Sequence, residues 1–304
     1  MYEYSKKTLK TAKDLRLIDD TLFRLICADR EVCQEILRTL IGDDKLVVIS
    51  SVPQETLVNL NREIVVDVLC KLGNGQYANI EVQKGNNNDD VRRCRFHLAS
   101  ITANKTPKGT EFGSIPDVAI LYISQYDVLG NNQAVTCTEM CQYVNGEYKP
   151  VGDGAKIYYA NVNVRNDGDE SELLSLFLKR DPFTNSKFPK LSAAVKYYKE
   201  DREGVRKMCE AVENYAMERE KKLFRDGGTV KVSRSLKELS LRINAAREHH
   251  SKLCGAEPTL SQLAEELGES VENITLAIQA AQPAVSLTPE NREESDRQMD
   301  IPVE

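Results

Sequence analysis

Two short apolar stretches decide the fold: Ile64-Val65-Val66-Asp67-Val68-Leu69 and Ala78-Asn79-Ile80-Glu81-Val82-Gln83. Each is rich in β-branched and apolar residues and is long enough for one strand. Gly73-Asn74-Gly75 lies between them, and its Asn-Gly pair accepts the positive φ angles of a tight turn. The pattern therefore predicts a β-hairpin with one acid on each strand.

These two acids are the first candidates for a functional site. A carboxylate such as Asp67 inside an apolar strand is costly when it is buried without a partner. Because side chains alternate along a strand, Asn79, Glu81 and Gln83 share one face. Acids on adjacent strands repel each other unless a cation lies between them, which favours a metal site. The alternative is that Asp67 and Glu81 each pair with a basic residue and have no chemical role.

The order of residues around the hairpin resembles that of a known family. Asp67 is followed fourteen residues later by Glu81-Val82-Gln83, and then by Arg92-Arg93-Cys94-Arg95-Phe96-His97. This order is similar to that of the PD-(D/E)XK nuclease family transposases, which include the recombination-promoting nucleases. The resemblance covers about residues 14 to 220. It implies an α/β, restriction-endonuclease-like fold with a mixed sheet flanked by helices, and metal-dependent hydrolysis of DNA.

The resemblance also implies a role for each residue of the hairpin. Asp67, Glu81 and the backbone carbonyl of Val82 would hold Mg²⁺ or Mn²⁺, and Mg²⁺ prefers oxygen ligands and keeps several waters. Gln83 stands where the general motif has lysine, although glutamine is common there in this family. Gln83 would therefore orient water or substrate rather than act as a base. Lys84 is no simple replacement, because adjacent strand residues point to opposite faces.

Three residues outside the hairpin are candidates by the same resemblance. Arg93 and Arg95 lie in a helix expected from Val91 to about Ile101, and would bind the scissile phosphate through the guanidinium fork. A solvent-facing position is the alternative for any one of these arginines. Asp20 opens an earlier helix and fits an N-cap. The resemblance offers Asp20 instead as a further metal ligand or as support for the ligands.

Other segments predict the rest of the sheet. The continuous apolar run Val118–Ser124 indicates a central strand that is covered on both faces. Asn145-Gly146 indicates the turn of a second hairpin. A strand is also expected at Leu46–Ser50, with Pro53 starting the loop beyond it.

The character of the chain changes near residue 218. Residues 219–252 carry ten basic and four acidic side chains, a net charge of +6. After Pro258, the pattern predicts a helix over Thr259–Leu267 that is closed by Gly268, and a second helix from Ser270 to about Ala281. Two short helices with a Gly-containing turn are helix-turn-helix-like, although an ordinary helical hairpin is the more common arrangement.

This C-terminal segment resembles bacterial RNA polymerase sigma factors. Residues 222–239, Lys-Leu-Phe-Arg-Asp-Gly-Gly-Thr-Val-Lys-Val-Ser-Arg-Ser-Leu-Lys-Glu-Leu, are similar to the end of region 2 and the start of region 3, and residues 257–268 continue the match. The likeness is strongest to the sporulation and general-stress group. It implies contact with RNA polymerase core or an anti-sigma factor through residues 221–288. No promoter-melting region before it and no promoter-reading helix-turn-helix after it are recognised.

The composition is that of an ordinary globular chain. Charged residues make up 29% and hydrophobic residues 41% of 304 residues,. The longest apolar runs are far shorter than a membrane span, and the N-terminus has no signal-peptide core. Eight cysteines show no framework and are expected to be reduced,. A cytoplasmic protein without a membrane partner is therefore expected.

Three parts follow from these patterns. They are a nuclease-like domain at 1–220, a small all-α sigma region 3-like domain at 221–288, and an acidic, disordered tail at 289–304. The favoured function is a DNA endonuclease, since a net charge of −6 still permits local DNA-binding patches,. One alternative is an inactive nuclease fold that only binds DNA. The other is a transcription-related module that docks on RNA polymerase or an anti-sigma factor.

Overall fold

The structure is a computed structural model, and it describes residues 4–58, 63–86, 89–226, 234–254 and 258–280. Its strands are β1 Val48–Leu57, β2 Ile64–Leu72, β3 Tyr77–Gln83, β4 Val118–Ser124, β5 Val135–Glu139, β6 Cys141–Val144, β7 Glu147–Pro150 and β8 Ala155–Asn161. Its α-helices are α1 Lys6–Asp14, α2 Asp20–Ile26, α3 Arg30–Ile41, α4 Asp90–Lys105, α5 Asp169–Leu176, α6 Pro189–Glu200, α7 Arg202–Asp226, α8 Arg234–Cys254, α9 Leu260–Leu267 and α10 Val271–Ala280.

A six-stranded mixed sheet has the order β1-β2-β3-β4-β8-β5. Strands β1, β2 and β3 are antiparallel neighbours, β3, β4 and β8 run parallel, and β5 pairs antiparallel with β8. Strands β6 and β7 form a separate hairpin. Helices lie against the sheet, so the predicted α/β, restriction-endonuclease-like arrangement is confirmed.

Two apolar layers cover the two faces of the sheet. Phe23 of α2 and Ile36 of α3 pack in one layer with Val68 of β2. Ile101 of α4 packs in the other layer with Tyr122 of β4. Helices α2 and α3 thus lie on one face of the sheet, and α4 lies on the other.

The hairpin predicted around Gly73-Asn74-Gly75 is confirmed, because β2 and β3 pair from Lys71↔Tyr77 to Val68↔Ile80. The central position of β4 and the turn at Asn145-Gly146 are also confirmed.

The N-terminal third of the chain differs from the sequence-based prediction in two places. The loop predicted from Pro53 is wrong, since β1 continues to Leu57 with Pro53 opposite Val68. Strand β1 is at the edge of the sheet, where proline is tolerated because only one side of the strand needs partners. Helix α1 was not predicted, and Ala12 is its only buried residue, so it shows almost no apolar stripe.

The chain divides into two compact units, with the boundary between Tyr215 and Ala216. Within the second unit, α8, α9 and α10 share a small core that includes Leu239, Ile243, Leu263 and Ile274. Thr259 and Gln262 form a capping box at the start of α9, and Gly268 ends it with a φ of 66°. The two short helices after Pro258 are confirmed, whereas the predicted tail at 289–304 lies outside the described residues. Among the helices described, none is both long and apolar enough to cross a membrane.

Candidate active site

The two strands of the hairpin separate where the acids lie. Beyond the last paired residues, Val68 and Ile80, each acid binds the backbone of the other strand. The Val82 N–H donates to Asp67 Oδ2 at 3.1 Å, and the Asp67 N–H donates to Glu81 Oε1 at 3.2 Å. Both carboxylates therefore lie in the fork between β2 and β3.

The position of Asp67 depends on an irregularity in the sheet. Val66 and Val68 are two residues apart, yet Val66 packs in the α4 layer and Val68 packs in the α2 layer. On the neighbouring strand β1, Gln54 has a φ of 55° between residues that pair with Val68 and Val66. The alternation of faces thus breaks at Asp67, which can reach side chains on both sides of the sheet.

On the α2 side, an arginine contacts the acids. Arg24 Nη2 forms a close ion pair with Asp20, one helical turn earlier, and lies 3.4 Å from Asp67 Oδ1. Asp20 Oδ1 and Arg24 Nε are buried and have no hydrogen-bond partner. The N-cap interpretation of Asp20 is wrong, because Asp19 holds that position and Asp20 belongs to the first turn. Asp20 instead lies beside the site, in contact with Arg24.

On the α4 side, Glu81 is fixed by two side chains. Asn79 Nδ2 donates to Glu81 Oε1 at 2.8 Å, and His97 Nδ1 lies 3.2 Å from the same oxygen. With the Asp67 N–H, three groups surround one carboxylate oxygen of a buried glutamate. Glu81 is therefore held in one orientation before any ligand binds.

Burial and the nearby acids perturb the ionisation of Asp67 and Asp20. Burial raises the pKa of Asp67 well above its ordinary value, and the nearby charges of Glu81 and Asp20 raise it further. Burial also raises the pKa of Asp20, although the Arg24 guanidinium opposes this. Asp67, which is buried and has two further carboxylates nearby, therefore favours its protonated form unless positive charge is brought to it,.

The other predicted residues lie at the border of the site. The Gln83 side-chain amide donates to the Gly85 carbonyl at 2.8 Å. Arg93 donates to both carboxylate oxygens of Asp89 at 3.0 Å each, and Arg95 is exposed. Within the described part of the chain, no hydrogen bond or ion pair joins Gln83, Arg93 or Arg95 to the two acids of the hairpin.

The donor atoms at the fork suit a hard divalent cation. Carboxylate and carbonyl oxygens are the ligands that Mg²⁺ prefers. Among the residues described, no group of three or more His, Cys, Asp and Glu side chains is arranged to hold a metal ion. A cation here would thus use Asp67, Glu81, a backbone oxygen and waters. Burial and the nearby acids raise the pKa of Asp67, and such an ion would offset the negative charge of those acids.

Three residues of the site were not assigned from the sequence. The strand period predicts that Asn79 shares a face with Glu81 but indicates no role for it. Arg24 lies four residues after Asp20, a spacing that allows an ion pair on a helix. His97 ended the stretch that carries Arg93 and Arg95, but only the packing of α4 on the sheet shows which of these side chains faces Glu81.

The mixed sheet flanked by helices is an α/β fold of the restriction-endonuclease-like class. Residues 28–226 match the profile of the PD-(D/E)XK nuclease family transposases, and the chain belongs to this family. The matched residues include both acids of the hairpin and begin after Asp20 and Arg24.

A second similarity is short and partial. The chain is 49% identical over 59 residues to the RNA polymerase sigma-F factor of Priestia megaterium, which covers 19% of this chain and 23% of that protein. It is 42% identical over 66 residues to the sigma-F factor of Bacillus subtilis (strain 168), covering 22% and 26%. The chain thus spans about a quarter of the length of these relatives. No solved structure matches it significantly.

Proposed function

We propose that this protein is a divalent-metal-dependent DNA endonuclease of the transposase type that hydrolyses phosphodiester bonds. The observation that carries the proposal is the meeting of the Asp67 and Glu81 carboxylates in the fork of β2 and β3. Membership of the nuclease family supports the reaction class, and the oxygen-rich donor set supports Mg²⁺ or Mn²⁺ as the cofactor,.

Each residue of the fork has a distinct proposed task. Asp67, Glu81 and the Val82 carbonyl hold the metal, which when bound lowers the pKa of a water and offsets charge on the phosphoryl oxygens. The Val82 N–H holds Asp67 Oδ2, so Asp67 Oδ1 is the oxygen that faces Arg24. Asn79 and His97 keep Glu81 in position.

The residues at the border would act on the substrate. Gln83 follows Glu81 by two residues at the end of β3, and its amide would orient water or DNA. Arg95 is exposed and can meet a phosphate without losing a partner. Arg93 would first have to release Asp89, because both oxygens of that carboxylate accept hydrogen bonds from it.

The proposal is tested by DNA cleavage. The purified protein should nick or cut supercoiled plasmid with Mg²⁺ or Mn²⁺, and EDTA should stop the reaction. Adding excess Mg²⁺ after EDTA should restore it, because the fork is formed by the protein alone. Cleavage that continues in EDTA, or intact plasmid with both metals, would contradict the assignment.

A second function is proposed for residues 221–288. The similarity to sigma-F factors favours contact with RNA polymerase core or an anti-sigma factor. The basic stretch within this segment can also hold DNA phosphates without reading base sequence. We propose that the C-terminal part adds DNA or polymerase contacts to a nuclease, rather than initiating transcription by itself. If this chain and core polymerase produced a specific transcript from a promoter, transcription initiation would become the favoured function of this segment.

Two truncated chains test the DNA contribution of this segment. A chain that ends at Asp226 keeps α7 whole, and a chain that ends at residue 288 lacks only the acidic tail. We expect the shorter chain to bind duplex DNA about tenfold more weakly at low salt, because it lacks the basic side chains of residues 231–252 that can contact phosphates,. This difference should shrink as salt rises, since phosphate contacts are salt-dependent. Fluorescence anisotropy at two salt concentrations measures this difference. Equal affinities at low salt, with cleavage rates unchanged, would remove the segment from DNA binding.

A further inference from the structure

The fork contains a positively charged side chain of the protein itself. Arg24 Nη2 is shared between Asp20 and Asp67, the latter at 3.4 Å. Asp67 also has two further carboxylates nearby, because its backbone N–H donates to Glu81 Oε1 and Arg24 Nη2 joins it to Asp20. Among the described residues, Arg24 is therefore the cationic side chain that contacts Asp67.

This arrangement satisfies the guanidinium only in part. One nitrogen of Arg24 contacts two acids, while Arg24 Nε is buried with no hydrogen-bond partner. Asp20 Oδ1 is likewise buried and unpartnered. A guanidinium that binds a carboxylate well uses two parallel hydrogen bonds, and Arg24 does not do so with Asp67. The contact of Arg24 with Asp67 is accordingly weaker than its contact with Asp20.

We propose that Arg24 is the internal counter-ion of the metal-free site and that a divalent cation displaces it from Asp67. The inference rests on the proposed metal binding, and it identifies Arg24 as a residue that lowers the affinity of the fork for the ion. A divalent ion at Asp67 and a guanidinium within a few ångströms repel each other. Arg24 can leave Asp67 without losing its charge partner, because Asp20 holds it from one turn earlier on the same helix.

Two consequences follow for the protein without metal. While no cation is bound, Arg24 offsets part of the repulsion among the acids of the fork. Metal affinity is lower than the acids alone would give, because the incoming ion must replace an existing favourable contact. Removing the charge of Arg24 should therefore destabilise the metal-free protein and strengthen metal binding.

Calorimetric titration of the full chain with Mn²⁺ tests the proposal without relying on catalysis. Arg24→Gln should bind Mn²⁺ at least about tenfold more tightly than wild type. Its melting temperature without metal should be lower, and Mn²⁺ should raise it by more than in wild type. Arg24→Lys keeps the charge and should stay within about threefold of wild-type affinity.

Arg206→Gln is the matched control. Arg206 also pairs with an acid one helical turn away, Glu210, but it lies on α7 and has no contact with the fork. Neither its Mn²⁺ affinity nor its thermal response to metal should change. Equal or weaker Mn²⁺ binding by Arg24→Gln, in a background where wild type binds the ion, would overturn the role of Arg24 and leave the proposed function intact. Absence of Mn²⁺ binding by wild type would overturn both.

A measurement on wild type covers the case in which Arg24→Gln does not fold. Nuclear magnetic resonance of ¹⁵N-labelled arginine side chains can follow the guanidinium directly, with the Arg24 signal assigned by its loss in Arg24→Lys. Saturating Mg²⁺ should shift the Arg24 signal and leave that of Arg206 in place. An unchanged Arg24 signal at saturation would contradict displacement from Asp67.

Discussion

Asp67→Asn and Glu81→Gln should each lower the rate of plasmid cleavage by about a thousandfold or more at saturating Mg²⁺. Either change removes one negative ligand from the fork while nearly preserving the shape of the side chain. A divalent cation bound by two carboxylates loses much of its affinity and its correct position when one becomes an amide. Single-turnover nicking, with far-ultraviolet circular dichroism to check the fold, measures the effect.

Glu55→Gln is the matched control for these variants. Glu55 lies on β1, beside the strand that carries Asp67, and pairs with Lys105 at 2.8 Å rather than with the fork. Its cleavage rate should remain within about twofold of wild type, because exposed or half-buried ion pairs of this kind contribute little. Full activity in both fork variants would show that the acids of the hairpin are not the site.

Asp67→Asn should also raise the melting temperature of the metal-free protein at neutral pH, by about 2 °C or more. In the folded, metal-free state the pKa of Asp67 lies well above its ordinary value because of burial and neighbouring acids. The folded protein then binds this proton more tightly than the unfolded chain does. The resulting stability is fully present below the ordinary carboxyl pKa and is lost as pH rises through the folded value. The amide of the Asp67→Asn variant does not titrate, so the variant does not lose stability in this way.

Thermal unfolding across this pH range, with and without metal, checks the prediction. Wild type should lose more stability than Asp67→Asn as pH rises in EDTA, so the gap between them should widen. Saturating Mn²⁺ should raise the melting temperature of wild type by mass action and that of the variant much less. An equal response to Mn²⁺ in both proteins would mean that the ion binds elsewhere.

The hairpin could be predicted because its information is local. A β-branched run, a turn at Asn74-Gly75 and a second run are contiguous in the chain, and the resulting pairing is the one observed. The face shared by Asn79 and Glu81 followed from the strand period for the same reason. The wrong loop at Pro53 came from a local rule as well, since the sequence does not show that β1 lies at the edge of the sheet.

The fork itself could not be predicted, because it depends on which layer each valine enters. Val66 and Val68 look equivalent in the sequence, yet they pack on opposite faces and turn Asp67 toward the site. Arg24 lies 43 residues before Asp67, and His97 lies 16 residues after Glu81. Contacts of this kind are set by the packing of α2 and α4 on the sheet, which no local pattern records.

The two interpretations of the acids, a metal site and pairing with basic residues, are compatible. Asp67 does have a basic partner, Arg24, and Glu81 does have a neighbouring imidazole, His97. An arginine that shares one nitrogen between two carboxylates leaves the fork with excess negative charge. We interpret these contacts as the arrangement of a metal site before the ion binds rather than as a substitute for one.

The most direct test of the central proposal, that Asp67 and Glu81 together hold a divalent cation, is a crystal structure determined with Mn²⁺ and its anomalous scattering. We expect one anomalous peak in the fork of β2 and β3, about 2.1 Å from an oxygen of each carboxylate. The Arg24 guanidinium should then lie on Asp20 alone. A peak bound by other residues, or an empty fork at saturating Mn²⁺ with Arg24 still on Asp67, would contradict the proposal.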